Sequence, residues 1–151
     1  MKHLFSFIAF LFIASMIAGQ DIELRNGKYF SGNSPFTGKY VEYYENQSVK
    51  LEKAIKNGLE HGNTYIYYEN GALKEHQSYN KGKNHGTWEN WDENGTKTAE
   101  AGYKNGKKHG PWIIWDAKGV KRYEMYYQNG NKTGLWKMWN ENGELTMERE
   151  Y

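Results

Sequence analysis

The sequence predicts an all-β protein, a single-layer twisted antiparallel meander of repeated β-hairpins behind an N-terminal signal peptide. Three observations predict it. Glycines at Gly38, Gly62, Gly86, Gly110 and Gly134 recur every 24 residues without insertion or deletion, and a fixed period of this size marks a stacked-repeat architecture. Five residues after each of them stands an aromatic: Tyr43, Tyr67, Trp91, Trp115 and Trp139. The second segment of each unit alternates with the period of two that a half-buried strand requires, as in Val49-Leu51-Lys53-Ile55, Lys121-Tyr123-Met125-Tyr127 and Leu145-Met147-Arg149-Tyr151.

At the N-terminus Met1-Lys2-His3 leads into an apolar run over residues 4–17, followed by the small residues Ala18 and Gly19. This is the layout of a secretory signal peptide over 1–19, and the run is shorter than the ~20 residues of a spanning helix. The expected location is therefore outside the cytoplasm: periplasmic, cell-envelope or secreted. The chain has no cysteine, which excludes a lipid-modified N-terminal cysteine, disulfides, thiol catalysis and thiolate metal sites.

Residues 20–37 read as an opening hairpin that caps the first repeat. Ile22 and Leu24 alternate with charged residues, Asn26-Gly27 supplies a turn, and Tyr29 and Phe30 return. Five units follow, at 38–61, 62–85, 86–109, 110–133 and a shortened 134–151. A glycine nine residues into four of the units (Gly71, Gly95, Gly119, Gly143), preceded by Asn in three, predicts a tight two-residue turn; the first unit has Gln47 there. A second glycine twenty residues in (Gly58, Gly82, Gly106, Gly130) predicts a looser return turn. Trp88 and Trp91 are three apart, as are Trp112 and Trp115, and Trp136 and Trp139. Aromatics are therefore expected on both faces of the sheet.

Mean hydropathy is −0.98 while aromatics reach 17%, so the apolar area comes from rings rather than aliphatics, which suits a thin sheet. The net charge of +2 gives no basic excess of the kind that nucleic-acid binders carry.

Pro35-Phe36-Thr37-Gly38-Lys39, the Glu-Asn-Gly turns and the block Tyr103-Lys104-Asn105-Gly106-Lys107-Lys108-His109-Gly110 resemble the MORN-repeat variant of YwqK-like proteins, which are described as antitoxin components. The resemblance covers nearly all of the chain after the leader. It implies a β-hairpin array acting as a protein-interaction or membrane-associated scaffold, with no catalytic residues to carry over.

Candidate sites follow from the repeat. His61, His85 and His109 recur once per unit, but equivalent positions lie two strands apart, ~9–10 Å, too far to share one metal; they read as turn residues, and no metal or cofactor is expected. Lys83, Lys107, Lys108 and Lys132 gather at one edge and offer a basic strip to an anionic surface. The row two residues after each opening glycine, Tyr40, Trp88, Trp112 and Trp136, with Thr64 between, varies most and is the candidate binding row, because Trp and Tyr dominate interface hot spots. No nucleophile elbow, phosphate loop or zinc-helix motif is present, so the protein is expected not to be an enzyme. The leading expectation is an exported scaffold that binds a protein partner, in the manner of an immunity or antitoxin protein. A glycan-binding module using the repeated aromatics, and a membrane-surface scaffold using the basic edge, are the alternatives.

Overall fold

The computed structural model describes residues 15–17 and 20–151, with side chains from Asp21 onward, so that most of the expected leader lies outside the described residues. All the regular structure there is β. A small sheet contains β1 (Ser15–Ile17), β2 (Gln20–Arg25), β3 (Lys28–Ser31) and β4 (Ser34–Pro35) in sequence order. The large sheet contains β5 (Gly38–Tyr43), β6 (Val49–Lys56), β7 (Leu59–Tyr67), β8 (Leu73–Asn80), β9 (Lys83–Asn84), β10 (Gly86–Trp91), β11 (Lys97–Lys104), β12 (Lys107–Trp115), β13 (Lys121–Gln128), β14 (Asn131–Trp139) and β15 (Leu145–Glu150). Strand neighbours in sequence are neighbours in space, and the two-residue β9 pairs with β8 to one side of the main path. This is the expected open meander, and its pairing registers repeat: Gly38↔Ile55, Gly62↔Tyr79, Gly86↔Tyr103 and Gly110↔Tyr127.

The two kinds of turn are exchanged relative to expectation. The tight two-residue turns lie at the second glycine, where both central residues have positive φ: Asn57 and Gly58 at 52° and 77°, Asn105 and Gly106 at 52° and 82°. These values are those of the I′ turn, whose twist matches that of the flanking strands. The Asn-Gly pairs at 70–71, 94–95 and 142–143 instead close three-residue loops in which, of the pair, only the glycine has positive φ. An Asx side chain stabilises that geometry: Asp92 Oδ1 accepts from the backbone of both Asn94 and Thr96, and Asn140 Oδ1 from Asn142 and Glu144. Each such loop is flanked by a register shift: Trp91 pairs with Lys97 but Asn90 with Ala99, so the returning strand carries one extra residue, Thr98.

Gln47 holds the glycine position of this loop in the first unit at φ 68°. A left-handed conformation costs a side-chain-bearing residue about 1–2 kcal/mol, part of which glycine's extra unfolded-state freedom takes back. Gln47→Gly is therefore expected to raise the unfolding free energy by about 1 kcal/mol, read as a shift of the urea midpoint at unchanged slope.

The opening segment does more than cap an edge. Its small sheet lies over the start of the large one, so this end of the protein has two layers. Tyr29 packs its ring on Tyr40 at 5.0 Å. Ile22, Tyr29, Phe36, Tyr40 and Ile55 form the buried core, with Ile22 and Ile55 each 3% exposed. Two backbone bonds fasten the opening segment to the array, Tyr29 N–H donating to Gly58 and Gly58 N–H to Phe36, while Phe36 N–H donates to Tyr29 within the segment itself. The expectation of a single layer holds from the second unit onward. At the first, three large apolar side chains from residues 20–37 need cover, and Tyr40 and Ile55 of the first unit provide it.

Candidate interaction faces

Alternation along the paired strands sorts the side chains onto two faces. On the first, positions two and seventeen of each unit interleave, because pairing of the opening glycine with position seventeen sets the tryptophan of one strand diagonally beside the tyrosine of the next. The result is a continuous aromatic spine: Tyr79, Trp88, Tyr103, Trp112, Tyr127, Trp136 and Tyr151, with successive centroids 4.6–5.5 Å apart in tilted or edge-on contact. Each indole is also anchored, Trp88 Nε1–H donating to the carbonyl of Ser78, Trp112 to Gly102 and Trp136 to Tyr126, all at 3.0–3.1 Å.

The candidate binding row thus belongs to the interior. Tyr40 and Trp136 are buried, at 5% and 9% exposure, and Trp88 and Trp112 are half-buried. Their rings pack against flanking tyrosines, Tyr40 on Tyr29 and each tryptophan between two tyrosines of the spine, rather than standing open for a ligand. Burial is what the alternating ladder demands of rows two and seventeen, in a sheet with few aliphatics to cover that face.

The spine is interrupted at the second unit, where Thr64 replaces an aromatic. It is 1% exposed and its hydroxyl oxygen has no hydrogen-bond partner. Beside it, Lys53 pairs with Glu60 at 2.6 Å. Burial works against the Lys53 ammonium, but the Glu60 carboxylate and the Tyr29 phenolic oxygen hold its pKa above the ordinary lysine value. Burial, and then the Glu60 charge, push the Tyr79 hydroxyl up to about 12.

The basic residues do not form one strip. Lys83 and Lys107 stay in solvent at the turn edge, their stems resting on the next turn at Gly106 and Gly130. Lys108 and Lys132 fold over the spine. Lys108 Nζ lies 3.9 Å from the Trp112 centroid and 4.8 Å from that of Tyr127, and Lys132 Nζ lies 4.5 and 4.6 Å from Trp136 and Tyr151. Arg149 covers Tyr151 at 4.9 Å. On the other flank of the spine, the register Ile114↔Tyr123↔Met138↔Met147 lines up an apolar row, of which Ile114, Tyr123 and Met147 are 37–39% exposed.

The second face is an ion-pair ladder. Glu89 accepts from Lys97 at 2.7 Å and contacts His76 Nδ1 at 3.0 Å, and Lys97 reaches on to Glu100 at 2.5 Å. Lys121–Glu124 and Lys137–Glu148 continue it. The row five residues after each glycine lies here, with Lys97 5.7 Å from the Trp115 centroid and Lys121 5.5 Å from that of Trp139. Aromatics therefore occupy both faces, as expected.

The hydrogen bonds from Lys97 and then His76 hold the Glu89 carboxyl below its ordinary value of 4.5. A carboxylate depressed on folding contributes stability above its unfolded pKa and loses it as pH falls through the folded one. Melting temperatures are expected to fall between about pH 5 and pH 3, and Glu89→Gln should lower the pH 7 value while flattening that slope. An unchanged slope would remove Glu89 from the account.

The histidines behave as turn residues. His61, His85 and His109 each accept through Nδ1, at 3.4 Å, from the backbone N–H at the first position of the tight turn twenty residues on, as Thr37 does for Asn57 at 2.8 Å. Each turn is tied to the one before it as well: Gly82 N–H donates to Glu60, Gly106 to Asn84 and Gly130 to Lys108. Among the described residues no cluster of three or more His, Asp or Glu could hold a metal ion.

Comparison with protein families gives a match to the family described as MORN repeat variant over residues 60–81, 84–105, 108–129 and 132–151. The four spans keep the 24-residue step and open two residues before Gly62, Gly86, Gly110 and Gly134. No curated protein matches the chain. With more than half of its residues matched in consecutive repeats, on a sheet whose register repeats at the same interval, the chain belongs to the MORN repeat variant family.

Proposed function

We propose that this protein is an exported, non-enzymatic scaffold that binds a protein partner on the C-terminal half of its spine face. The observation that carries the reading is charge sorting. Over β11–β15, alternation sends Glu100, Glu124, Glu148 and Glu150 to the ladder face. The spine face there carries Lys108, Lys132 and Arg149 beside the exposed Ile114, Tyr123 and Met147. Exposed apolar rows flanked by cations whose charges face no carboxylate favour a partner that is itself apolar and acidic. An immunity role, in which this face covers an exported toxin, is the specific form of the proposal that the leader and the family resemblance support.

The test is co-purification from the envelope fraction of the source organism with two variants run beside the wild type. Trp112→Ala would collapse the spine and cannot report on recognition, so the variants are Lys108→Glu/Lys132→Glu and Tyr123→Ser/Met147→Ser. Capture of one defined protein by the wild type, lost in both variants while circular dichroism is unchanged, supports the reading. Capture that survives both variants moves the interface elsewhere.

A further inference from the structure

We infer that the ladder face carries a saccharide site at the junction of the first and second repeats, apart from the protein-binding half of the spine face. Lys39, Glu52, Ala54, Asn63 and Tyr65 line a depression of about 310 Å³ there, near the small end of the range for small-molecule pockets. By alternation all five side chains belong to the ladder face of β5, β6 and β7; Gly38 and Lys53 complete the lining, the Lys53 side chain belonging to the other face, where its charge is paired with Glu60.

The repeat itself shows that the fold does not require this cluster. Stepping 24 residues along the chain, Tyr65 is replaced by Glu89, Ile113 and Lys137, and Ala54 by Ser78, Gly102 and Tyr126. Later units keep the same sheet without the ring, and the last of them, with Tyr126, without the small floor as well. The combination occurs once, on an open face.

The chemistry of the cluster suits a sugar ring. Tyr65 is held rigid from two sides: its ring stacks on His76 at 5.0 Å and 13°, and its hydroxyl accepts from the Asn63 amide at 3.1 Å. A fixed aromatic wall offers its free π face to the C–H side of a pyranose at little cost in side-chain freedom. Lys39 and Glu52 pair at 3.0 Å with side-chain exposures of 64% and 25%, so the site is electrically balanced and selects for neither anion nor cation. Ammonium hydrogens, carboxylate lone pairs and an amide together meet neighbouring hydroxyls, each of which both donates and accepts. The ligand class is therefore a neutral pyranose, free or at the end of a glycan.

The test is a titration of the isotope-labelled protein with glucose, galactose and N-acetylglucosamine in turn, and with glycine as a zwitterionic control, followed by backbone amide shifts. Saturable shifts at Ala54, Asn63 and Tyr65 are expected with at least one sugar and not with glycine. Tyr65→Ala should weaken that binding at least about tenfold, while Tyr65→Phe, which keeps the ring, should weaken it less. Asn63→Ala, in a solvent-exposed position, serves as the second variant and should weaken binding measurably. The proposal is overturned if none of the three sugars saturates, if Tyr65→Ala and Asn63→Ala both bind as the wild type does, or if glycine alone shifts these amides. Failure here leaves the spine-face proposal standing, because the two surfaces share no residue.

Discussion

Replacing Trp112 by alanine will cost about 3 kcal/mol and will divide the array into two parts of unequal stability. Burial alone sets the scale. Truncating a buried tryptophan typically costs 3–5 kcal/mol, and the half-buried Trp112 belongs at the lower end. Its ring touches Tyr103 at 5.2 Å and Tyr127 at 5.5 Å, and its indole N–H holds the Gly102 carbonyl at 3.0 Å. All these contacts join adjacent strands, and those to Tyr103 and Gly102 cross from one repeat to the next, so much of the loss falls on the interface between neighbouring repeats. In a quasi-one-dimensional array, weakening one interface uncouples what lies on either side. Native-state hydrogen exchange should therefore show protection reduced across β12–β15 and largely kept in β5–β8, where the opening sheet adds a second layer. Trp112→Phe retains a ring in the stack and loses the indole hydrogen bond, about 1 kcal/mol, together with part of the ring's packed area, so it should cost less than the alanine variant. If Trp112→Ala unfolds at the wild-type urea midpoint, the spine is not what couples the repeats.

Much of this organisation was legible in the sequence, and the parts that were not share a cause. The period, the meander of hairpins and the opening hairpin follow from glycines and alternation, which are local signals. Rows two and seventeen were each visible as rows. What a linear reading does not contain is the offset at which they pair, and only the register Gly86↔Tyr103 turns two separate stripes into one buried spine. Trp88, Trp112 and Trp136 accordingly looked like the surface most free to bind, when their neighbours were already supplied by Tyr79, Tyr103, Tyr127 and Tyr151. The exchange of turn types has the same origin. Asn70-Gly71 and Asn105-Gly106 are identical as dipeptides, and the difference lies in what the flanking side chains do. Asn70 Oδ1 accepts from the Ala72 N–H two residues on, whereas the N–H of Asn105 is met from a different strand by His85. The pocket at Tyr65 was invisible because the floor at Ala54 and the wall at Tyr65 come from different strands of adjoining repeats. Their one sequence signal was a departure from the repeat, which becomes informative only once the face is known.

Phe36→Ala is expected to have the other large effect, about 3 kcal/mol, and a different pattern. Phe36 occupies the repeat position that holds Glu60, Asn84, Lys108 and Lys132 in later units. There Lys108 and Lys132 lay only a charged side chain over the spine, while Phe36 is 7% exposed and sits in the core with Ile22, Tyr29, Tyr40 and Ile55. It also lies so close to Gly38 that a Cβ there would stand 2.8 Å from the phenyl ring, which fixes the path of the chain as it passes from the opening sheet into β5. Truncation to alanine leaves a void between the two layers that the backbone bonds among Tyr29, Phe36 and Gly58 keep from closing fully. The small sheet has only four short strands and little apolar area of its own, so it should detach before the array unfolds. Exchange in β2–β4 and at the Asn57-Gly58 turn should accelerate by orders of magnitude, with β10–β15 protected as in the wild type. The same variant distinguishes a cap from an ordinary repeat, because Lys132→Ala, at the equivalent position near the other end, removes no core residue and should shift the urea midpoint only slightly. Equal effects from the two substitutions would mean that the opening sheet is simply one more unit of the array rather than the element that closes it.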